Sequence, residues 1–419
     1  MERAELSERL GAGRLRSPGR GTVVCEADPV RFQSVFADAV AAGGPVFLAD
    51  PAWRESERRE FAALIASHPA GTTDPDEDRG WLCIPTGGSS GRIKLARHDG
   101  YTVAAAVGGF ARYFGCQSVS AAGFLPLHHV SGLMAWLRAV MTGGRFRIAR
   151  WEDVVAGQRP DPPSGDAFVS VVPTQLQRLL LQPEAVAWLR SFRTVFVGGG
   201  PVWPDLLDSA ARGTLPLALS YGMTETAAMV TALPPEEFAL GLRSAGQALP
   251  HARVTCDADG TIAVSGESLF RGYFPAFRTG AAEWKTADTG SIDSRGHLHV
   301  LGRRDAVIMT GGEKVDPVTV ETVLRATGQF QDVVVVGVPD PLWGQVVVAC
   351  YPEGEPAPDW AQLRSRVEVE LSGYRRPKRY VAVAEWPRNA QGKVNREILR
   401  QSVLRTSVAD SAGGEDRSA

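Results

Sequence analysis

Residues 81–98 read WLCIPTGGSSGRIKLARH. The apolar run at 81–84 has strand character. Behind it come three glycines (Gly87, Gly88, Gly91), three hydroxyls (Thr86, Ser89, Ser90) and a lysine, Lys94. Glycines let backbone N–H groups turn toward one point and approach it closely, which suits a polyphosphate. The hydroxyls add donors, and a lysine offers a compact charge to phosphate oxygens. No lysine directly follows the last glycine, so the spacing is not GxxxxGK[ST] and a P-loop kinase is disfavoured. By itself such a stretch also suits a flexible linker. Its place between an apolar strand and a helix favours phosphate binding. That helix is legible from Val103, Val107, Phe110 and Phe114, which share one face at i, i+4, i+7, i+11.

Further along, the same alternation recurs. Residues 167–172 (AFVSVV) end at Pro173, after which Thr174 opens a helical QLQRLLL. Residues 194–197 (TVFV) run into Gly198-Gly199-Gly200, and residues 215–220 (LPLALS) into Tyr221-Gly222-Met223. Strand, loop and helix in repetition predict an α/β fold with ligand-binding loops at the strand ends. After about residue 250, TIAVS at 261–265, LHVL at 298–301 and the turns Asp259-Gly260 and Arg295-Gly296 predict antiparallel hairpins. Past Asp305 a helix over 317–327, a strand over 333–338 and a helix over 359–371 predict a compact α+β unit. The expected organisation is therefore a large layered α/β domain with a β-rich subdomain over 1–303, a small mobile α+β domain over 304–405, and a disordered tail over 406–419.

Composition narrows the class. The chain has 419 residues and a formal net charge of −2, which speaks against a nucleic-acid binder working by general electrostatics. The N-terminus lacks the apolar segment of a signal peptide, and no run is long enough to span a bilayer. Five cysteines with no CxxC pair argue against a disulfide framework or a structural zinc site. A cytoplasmic enzyme is expected, and a homo-oligomer stays open.

Six further segments follow the first in order: FLPLHHVSG (124–132), VGGGP (197–201), SYGMTET (220–226), WKTADTG (284–290), GRRDAVIMTGGEKVDP (302–317) and PRNAQGKVNR (387–396). Over roughly residues 81–400 the chain resembles the adenylate-forming superfamily of acyl-CoA synthetases, peptide-synthetase adenylation domains and luciferases. The resemblance implies ATP, Mg²⁺ and CoA as co-substrates and cofactor, and residue roles that follow it position by position. The loop from Thr86 through Lys94 matches the family's phosphate loop TSGTTGxPK, with Ile93 in place of proline and Leu95 in place of glycine. Thr224 matches the α-phosphate ligand and Glu225 the Mg²⁺ carboxylate, an arrangement suited to a hard, oxygen-seeking cation. Asp288 matches the ribose carboxylate and Arg303 a second ribose contact. Gly198, Gly199, Gly200, Ser220, Tyr221, Gly222 and Met223 match the wall around adenine and acyl group.

By the same resemblance Lys393 is the catalytic lysine that bridges the acid's carboxylate and the α-phosphate as charge develops. Asp305 is the hinge about which the small domain swings between an adenylating and a thioesterifying pose. Gly311, Gly312 and Lys314 would face the CoA side in the second pose, although the glycine pair also suits an ordinary β-turn. His129 falls on the histidine of the PLFHxxG motif, with His128 at the aromatic position beside it. A packing role for both is the plain alternative.

The phosphate loop begins early, so the family's usual N-terminal region is expected to be largely missing. Segments 81–98 and 124–145 look most like the shortened 2-succinylbenzoate–CoA ligases of menaquinone and phylloquinone synthesis. Such a substrate carries a second carboxylate, for which Ser131 and Thr174 are candidate donors and Arg138 a candidate cation. A ligase for another aryl or fatty acid would keep every motif, as would an enzyme loading a carrier protein. A non-catalytic nucleotide-binding relative would lose Lys393, Glu225 or Asp288, and all three are present.

Overall fold

The structure is a computed structural model that describes residues 1–12, 21–66, 79–86, 93–278, 282–354, 356–388 and 394–412, with side chains to 405. The expected α/β class holds. Two compact units are present, the larger built within residues 1–300 and the smaller running from Leu301.

In the larger unit β1 (Thr22–Val24), β2 (Val46–Leu48), β3 (Leu82–Thr86) and β4 (Lys94–His98) form one sheet in chain order. The first three are parallel, and β4 returns antiparallel to β3 with Thr86 opposite Lys94. Leu95, where the family motif has glycine, pairs with Pro85 and is fully buried. A leucine is placed there because the residue belongs to a packed strand.

The central sheet comprises β5 (Ala121–Gly123), β6 (Phe146–Ile148), β7 (Phe168–Val171), β8 (Thr194–Val197), β9 (Leu217–Met223), β10 (Ala228–Leu233) and β11 (Gln247–Ala248). Its strand order is β11-β10-β9-β8-β7-β5-β6. The run β6-β5-β7-β8-β9 is parallel, while β10 and β11 join antiparallel. One expectation is corrected here. Residues 221–223 are not loop but the end of β9, because hairpin pairing with β10 (Met223 opposite Ala228, Gly222 opposite Met229) keeps them extended.

The predicted helix after the phosphate loop spans Gly100–Tyr113. Asp99 caps it by accepting from Tyr101 N and Thr102 N, and Thr102 Oγ1 answers the Asp99 N–H, a reciprocal capping box. Val103, Val107, Phe110 and Phe114 are all buried, and the Phe110 ring lies 5.2 Å from Phe168 and 5.6 Å from Phe196. Burying such a phenyl group stabilises by roughly 2–3 kcal/mol, so this stripe ties the helix to β7 and β8.

A second helix, Val130–Thr142, ends where Gly143 takes φ 72°. Its Trp136 packs 5.5 Å from Phe36 and 6.4 Å from Phe32 of the helix Pro29–Ala42. That N-terminal helix is itself capped by Asp28, which accepts from Val30 N and Arg31 N.

A third sheet, β12 (Ala252–Cys256), β13 (Thr261–Gly266), β14 (Glu283–Ile292) and β15 (Leu298–Arg303), supplies the expected antiparallel hairpins. In the smaller unit β16 (Ile308–Thr310), β17 (Glu313–Val315), β18 (Val334–Asp340), β19 (Gly344–Pro352) and β20 (Arg379–Val383) form a five-stranded sheet. The helices Pro317–Ala326 and Trp360–Glu370 bury Val320, Leu324, Leu363 and Val367 in its core. The last helix, Arg396–Ala412, runs past Thr406, where the sequence reading begins a disordered tail. Residues 406–412 contain no glycine or proline to stop it, and the first helix breaker is Gly413.

Candidate active site

Parallel strands deliver their C-terminal ends to one edge of the sheet, and most of the candidate residues come off that edge. After β5 the chain reaches His128 and His129. β7 leads into Pro173 and Thr174 at the start of the helix Pro173–Leu180, and β8 leads into Gly198-Gly199-Gly200. β9 itself carries Ser220, Tyr221, Gly222 and Met223. Adjacent parallel strands place these loops side by side, the position where open α/β sheets bind ligands. The fit between two of them is close: a Cβ on Gly198 would stand 2.8 Å from Ser220 Oγ. Glycine lets the β8 loop lie close against β9 without displacing the Ser220 side chain.

Thr224, Glu225 and Thr226 form a single 3₁₀ turn after β9. Thr226 Oγ1 holds the turn by meeting Met223 N at 3.0 Å and Ala228 O at 2.6 Å. Ala227 and Ala228 follow with φ of 51° and 75°, costly for residues bearing a Cβ. Strain of this kind persists only where its surroundings enforce it, and here it projects Thr224 and Glu225 from the sheet.

Three partners fix that turn. His98 Nε2 donates to the Thr224 carbonyl at 2.7 Å, Phe270 N donates to the Glu225 carbonyl at 2.8 Å, and the Tyr273 hydroxyl donates to Glu225 Oε1 at 2.5 Å. The Lys94 ammonium lies 5.5 Å from the centre of the Tyr273 ring. Lys94, at the end of the phosphate stretch, and the carboxylate expected to hold Mg²⁺ thus share Tyr273 as a neighbour. Tyr273 takes one Glu225 oxygen, and Oε2 is the oxygen suited to a hard cation.

On the other side of Tyr221 lies Asp288. The Tyr221 hydroxyl donates to Asp288 Oδ2 at 2.8 Å, joining two residues 67 positions apart in sequence. Asp288 is the carboxylate that the resemblance assigns to the sugar hydroxyls.

His98 is fully buried, and burial pushes its imidazole down to about 4, the Thr224 carbonyl opposing that shift only in part. It is therefore neutral at physiological pH, with its proton on the nitrogen that faces Thr224. His128 is buried as well and His129 is largely buried, both against Asp50. His128 Nε2 is 3.3 Å and His129 Nε2 3.6 Å from the two oxygens of that carboxylate.

Arg138, on the helix Val130–Thr142, is 5% exposed and lies 4.3 Å over the Phe110 ring. Burial lowers its guanidinium to about 10, and Nε has no hydrogen-bond partner among the described residues. With Phe168, Ser170 and Phe196 it lines a cavity against the central sheet. Ser131 and Thr174 are both partly exposed.

The smaller unit carries the remaining candidates. Arg303 grips Asp305 through Nε–Oδ1 at 2.8 Å and Nη2–Oδ2 at 2.6 Å, so the expected ribose contact and the expected pivot hold one another. Gly311 and Gly312, at φ 59° and 85°, make the two-residue turn between β16 and β17, where Thr310 pairs with Glu313. Both central residues need positive φ in such a hairpin, which glycine provides. Lys314 is exposed on β17. Gly87, Gly88, Ser89, Ser90, Gly91 and Lys393 lie outside the described residues.

Residues 20–274 match the AMP-binding enzyme family, and residues 319–393 match its C-terminal domain. The first match alone covers more than half of the chain. This chain belongs to the AMP-binding enzyme family.

Among curated AMP-binding relatives, the 2-succinylbenzoate–CoA ligase of Listeria monocytogenes (strain F2365) is 34% identical over 282 residues, 66% of this chain and 60% of the relative. The enzyme of the same name from Enterococcus faecalis is 34% identical over 285 residues, 64% of this chain and 58% of that one. The matches thus span about three fifths of the relatives' length. An o-succinylbenzoate CoA synthetase from Bacillus subtilis, solved with its acyl-adenylate intermediate, superposes with a TM-score of 0.75 at 24% identity, covering 95% of this chain and 91% of that one. ATP-bound MatB from Rhodopseudomonas palustris gives 0.74 at 24% identity, covering 96% and 92%. These structures share the AMP-binding fold.

Three residues in the site were not singled out from sequence. His98 and Tyr273 act on the Thr224–Thr226 turn through backbone and hydroxyl contacts, for which no spacing rule exists. Asp50 lies 78 positions before His128. Only the phosphate-loop signal, which ends at His98, could have drawn attention to the first of them.

Proposed function

We propose that the chain is an ATP-dependent carboxylic acid:CoA ligase that works through an acyl-adenylate, with 2-succinylbenzoate as its acid. The observation that carries this reading is the convergence, in one unit, of Lys94, Glu225 with Tyr273, and Asp288 with Tyr221 around the carboxyl ends of parallel strands. The names of the curated relatives support the choice of acid.

In this mechanism Asp288 takes the ribose hydroxyls of ATP, and Lys94 with the loop beginning at Thr86 takes the β- and γ-phosphates. Thr224 meets the α-phosphate. Glu225 would hold Mg²⁺ through Oε2, and the cation supplies charge neutralisation on the phosphates when bound. A carboxylate oxygen of the acid attacks the α-phosphorus and pyrophosphate leaves, with Lys393 stabilising the charge that builds up. The CoA thiolate then attacks the acyl carbon, the C–S bond forms, and AMP leaves. Between the two steps the small domain would turn about Asp305, bringing Gly311, Gly312 and Lys314 to the CoA side.

Arg138 deepens the choice of acid. A guanidinium buried against phenyl rings with an unpartnered nitrogen is costly unless an anion completes it. In this reading the aryl carboxylate of 2-succinylbenzoate is that anion, with Ser131 and Thr174 as further candidate donors, and the cavity of about 10 Å³ at Arg138 must widen to admit it. The test is pyrophosphate release across a panel of acids with and without CoA. Fastest turnover with 2-succinylbenzoate, dependent on CoA for AMP and thioester release, is expected. Faster turnover of benzoate, 4-phenylbutyrate or a fatty acid would overturn the acid but not the adenylate chemistry. Acyl transfer to a carrier protein in preference to CoA would overturn the acceptor.

A further inference from the structure

Asp50, His128 and His129 form a cluster that nucleotide chemistry leaves unexplained. Asp50 sits just past β2, and its Oδ1 accepts from Ala52 N at 2.8 Å, which orients the carboxylate. The two histidines directly precede the helix Val130–Thr142, and His129 occupies its N-cap position without a side-chain capping bond. Both Nε2 atoms are buried with no hydrogen-bond partner among the described residues. They face the two carboxylate oxygens at 3.3 and 3.6 Å, and one donor atom from each of the three residues falls within 4.8 Å of the others. Two imidazole nitrogens close to a carboxylate, without a well-aligned hydrogen bond to it, leave lone pairs that suit a cation.

We propose that Asp50, His128 and His129 bind a Zn²⁺ ion. Zinc takes imidazole nitrogen at about 2.0–2.1 Å and carboxylate oxygen at about 2.0–2.2 Å in tetrahedral geometry, which sets neighbouring donor atoms roughly 3.3–3.5 Å apart. The His128 separation matches such an edge, and the His129 separation, to the other carboxylate oxygen, is slightly longer. Three protein ligands of the two-histidine, one-carboxylate type leave a fourth position for water or an anion. His129, with 13% of its side chain exposed, is where solvent enters. The three residues do not include Glu225, and the inference does not depend on the ligase reading.

The test uses the tag-free full chain, with neither ATP nor acid present. After metal stripping and titration with Zn²⁺ against a competing chelator, one equivalent per chain should bind with a dissociation constant below about 1 μM. Asp50→Asn and His128→Gln should each weaken binding by about 10²-fold or more. His299→Ala, which removes an exposed histidine paired with Asp293, should leave binding unchanged. Should a variant fail to fold, the wild-type chain still decides: Zn²⁺ should protect His128 and His129 from diethylpyrocarbonate, mapped by mass spectrometry. Substoichiometric binding, binding that survives both substitutions, or modification of both histidines at the same rate with and without Zn²⁺ would overturn the proposal.

Discussion

His98 Nε2 donates to the main-chain carbonyl of Thr224 at 2.7 Å, so the strand that closes the phosphate stretch also holds the turn expected to meet the α-phosphate. Its consequence is a pH dependence of stability. Buried His98 has its proton affinity lowered to about 4, and buried His251 is lowered to about 4 also, by burial and the nearby Arg138 charge. The unfolded chain takes up protons near pH 6.5 while the folded chain does not. Stability is therefore at its full value above about pH 6.5 and falls as pH drops toward 4. The depression at His98 corresponds to a loss of about 3 kcal/mol at the acid end. Urea unfolding from pH 7.5 to 4.5 should show this fall. His98→Gln, whose amide can still donate to Thr224, should flatten the profile; an unchanged slope would contradict the assignment.

The Tyr221–Asp288 bond separates two contributions to ATP binding. Asp288→Ala removes a charged acceptor from the ribose, and such bonds contribute roughly 1.5–3 kcal/mol each. The KM for ATP should rise by about tenfold or more with the fold intact by circular dichroism. Tyr221→Phe releases only one hydrogen bond to that carboxylate and should cost less. An equal or larger loss in Tyr221→Phe would show that the phenol, not the carboxylate, dominates.

Glu225→Gln keeps a hydrogen-bonding partner for Tyr273 but removes the charge that a divalent cation needs. The Mg²⁺ concentration for half-maximal adenylation should rise by about tenfold or more. Tyr273→Phe frees the carboxylate to move and should give a smaller shift in the same direction. Mg²⁺ titrations of both variants, read by pyrophosphate release, make the comparison.

Arg138→Met preserves length and apolar bulk while removing the buried charge. Specificity for 2-succinylbenzoate over benzoate, as a ratio of kcat/KM, should fall by about 10²-fold, because the aryl carboxylate loses its partner. A loss shared equally by both acids would point to a packing role for Arg138.

The two half-reactions can be separated in the small domain. Lys393→Ala should slow adenylation by about 10²-fold or more and leave thioester formation from presynthesised acyl-adenylate largely intact. Asp305→Pro restricts φ near −65° and should do the reverse, trapping acyl-adenylate on the enzyme. Parallel loss of both half-reactions in either variant would refute the two-pose assignment.

Local chemistry was enough for much of this. The stripe Val103, Val107, Phe110 and Phe114 is written at helical spacing, and the strand at 194–197 ends on glycines that no strand interior would choose. The ordered motifs point to Thr224, Glu225 and Asp288 through their resemblance to the adenylate-forming superfamily. What sequence could not supply were contacts between remote segments. β9 extends through Met223 because β10 pairs with it, and the short N-terminal strands β1 and β2 have too few residues to show a period. At 406–412 small polar residues carry no strong signal either way. Tyr273 on Glu225, His98 on Thr224 and Asp50 beside His128 and His129 join positions 48, 126 and 78 or more residues apart. Spacing along the chain encodes the geometry of one turn or one strand. The field and hydrogen bonding at each functional atom are set by whatever the packed sheets bring beside it.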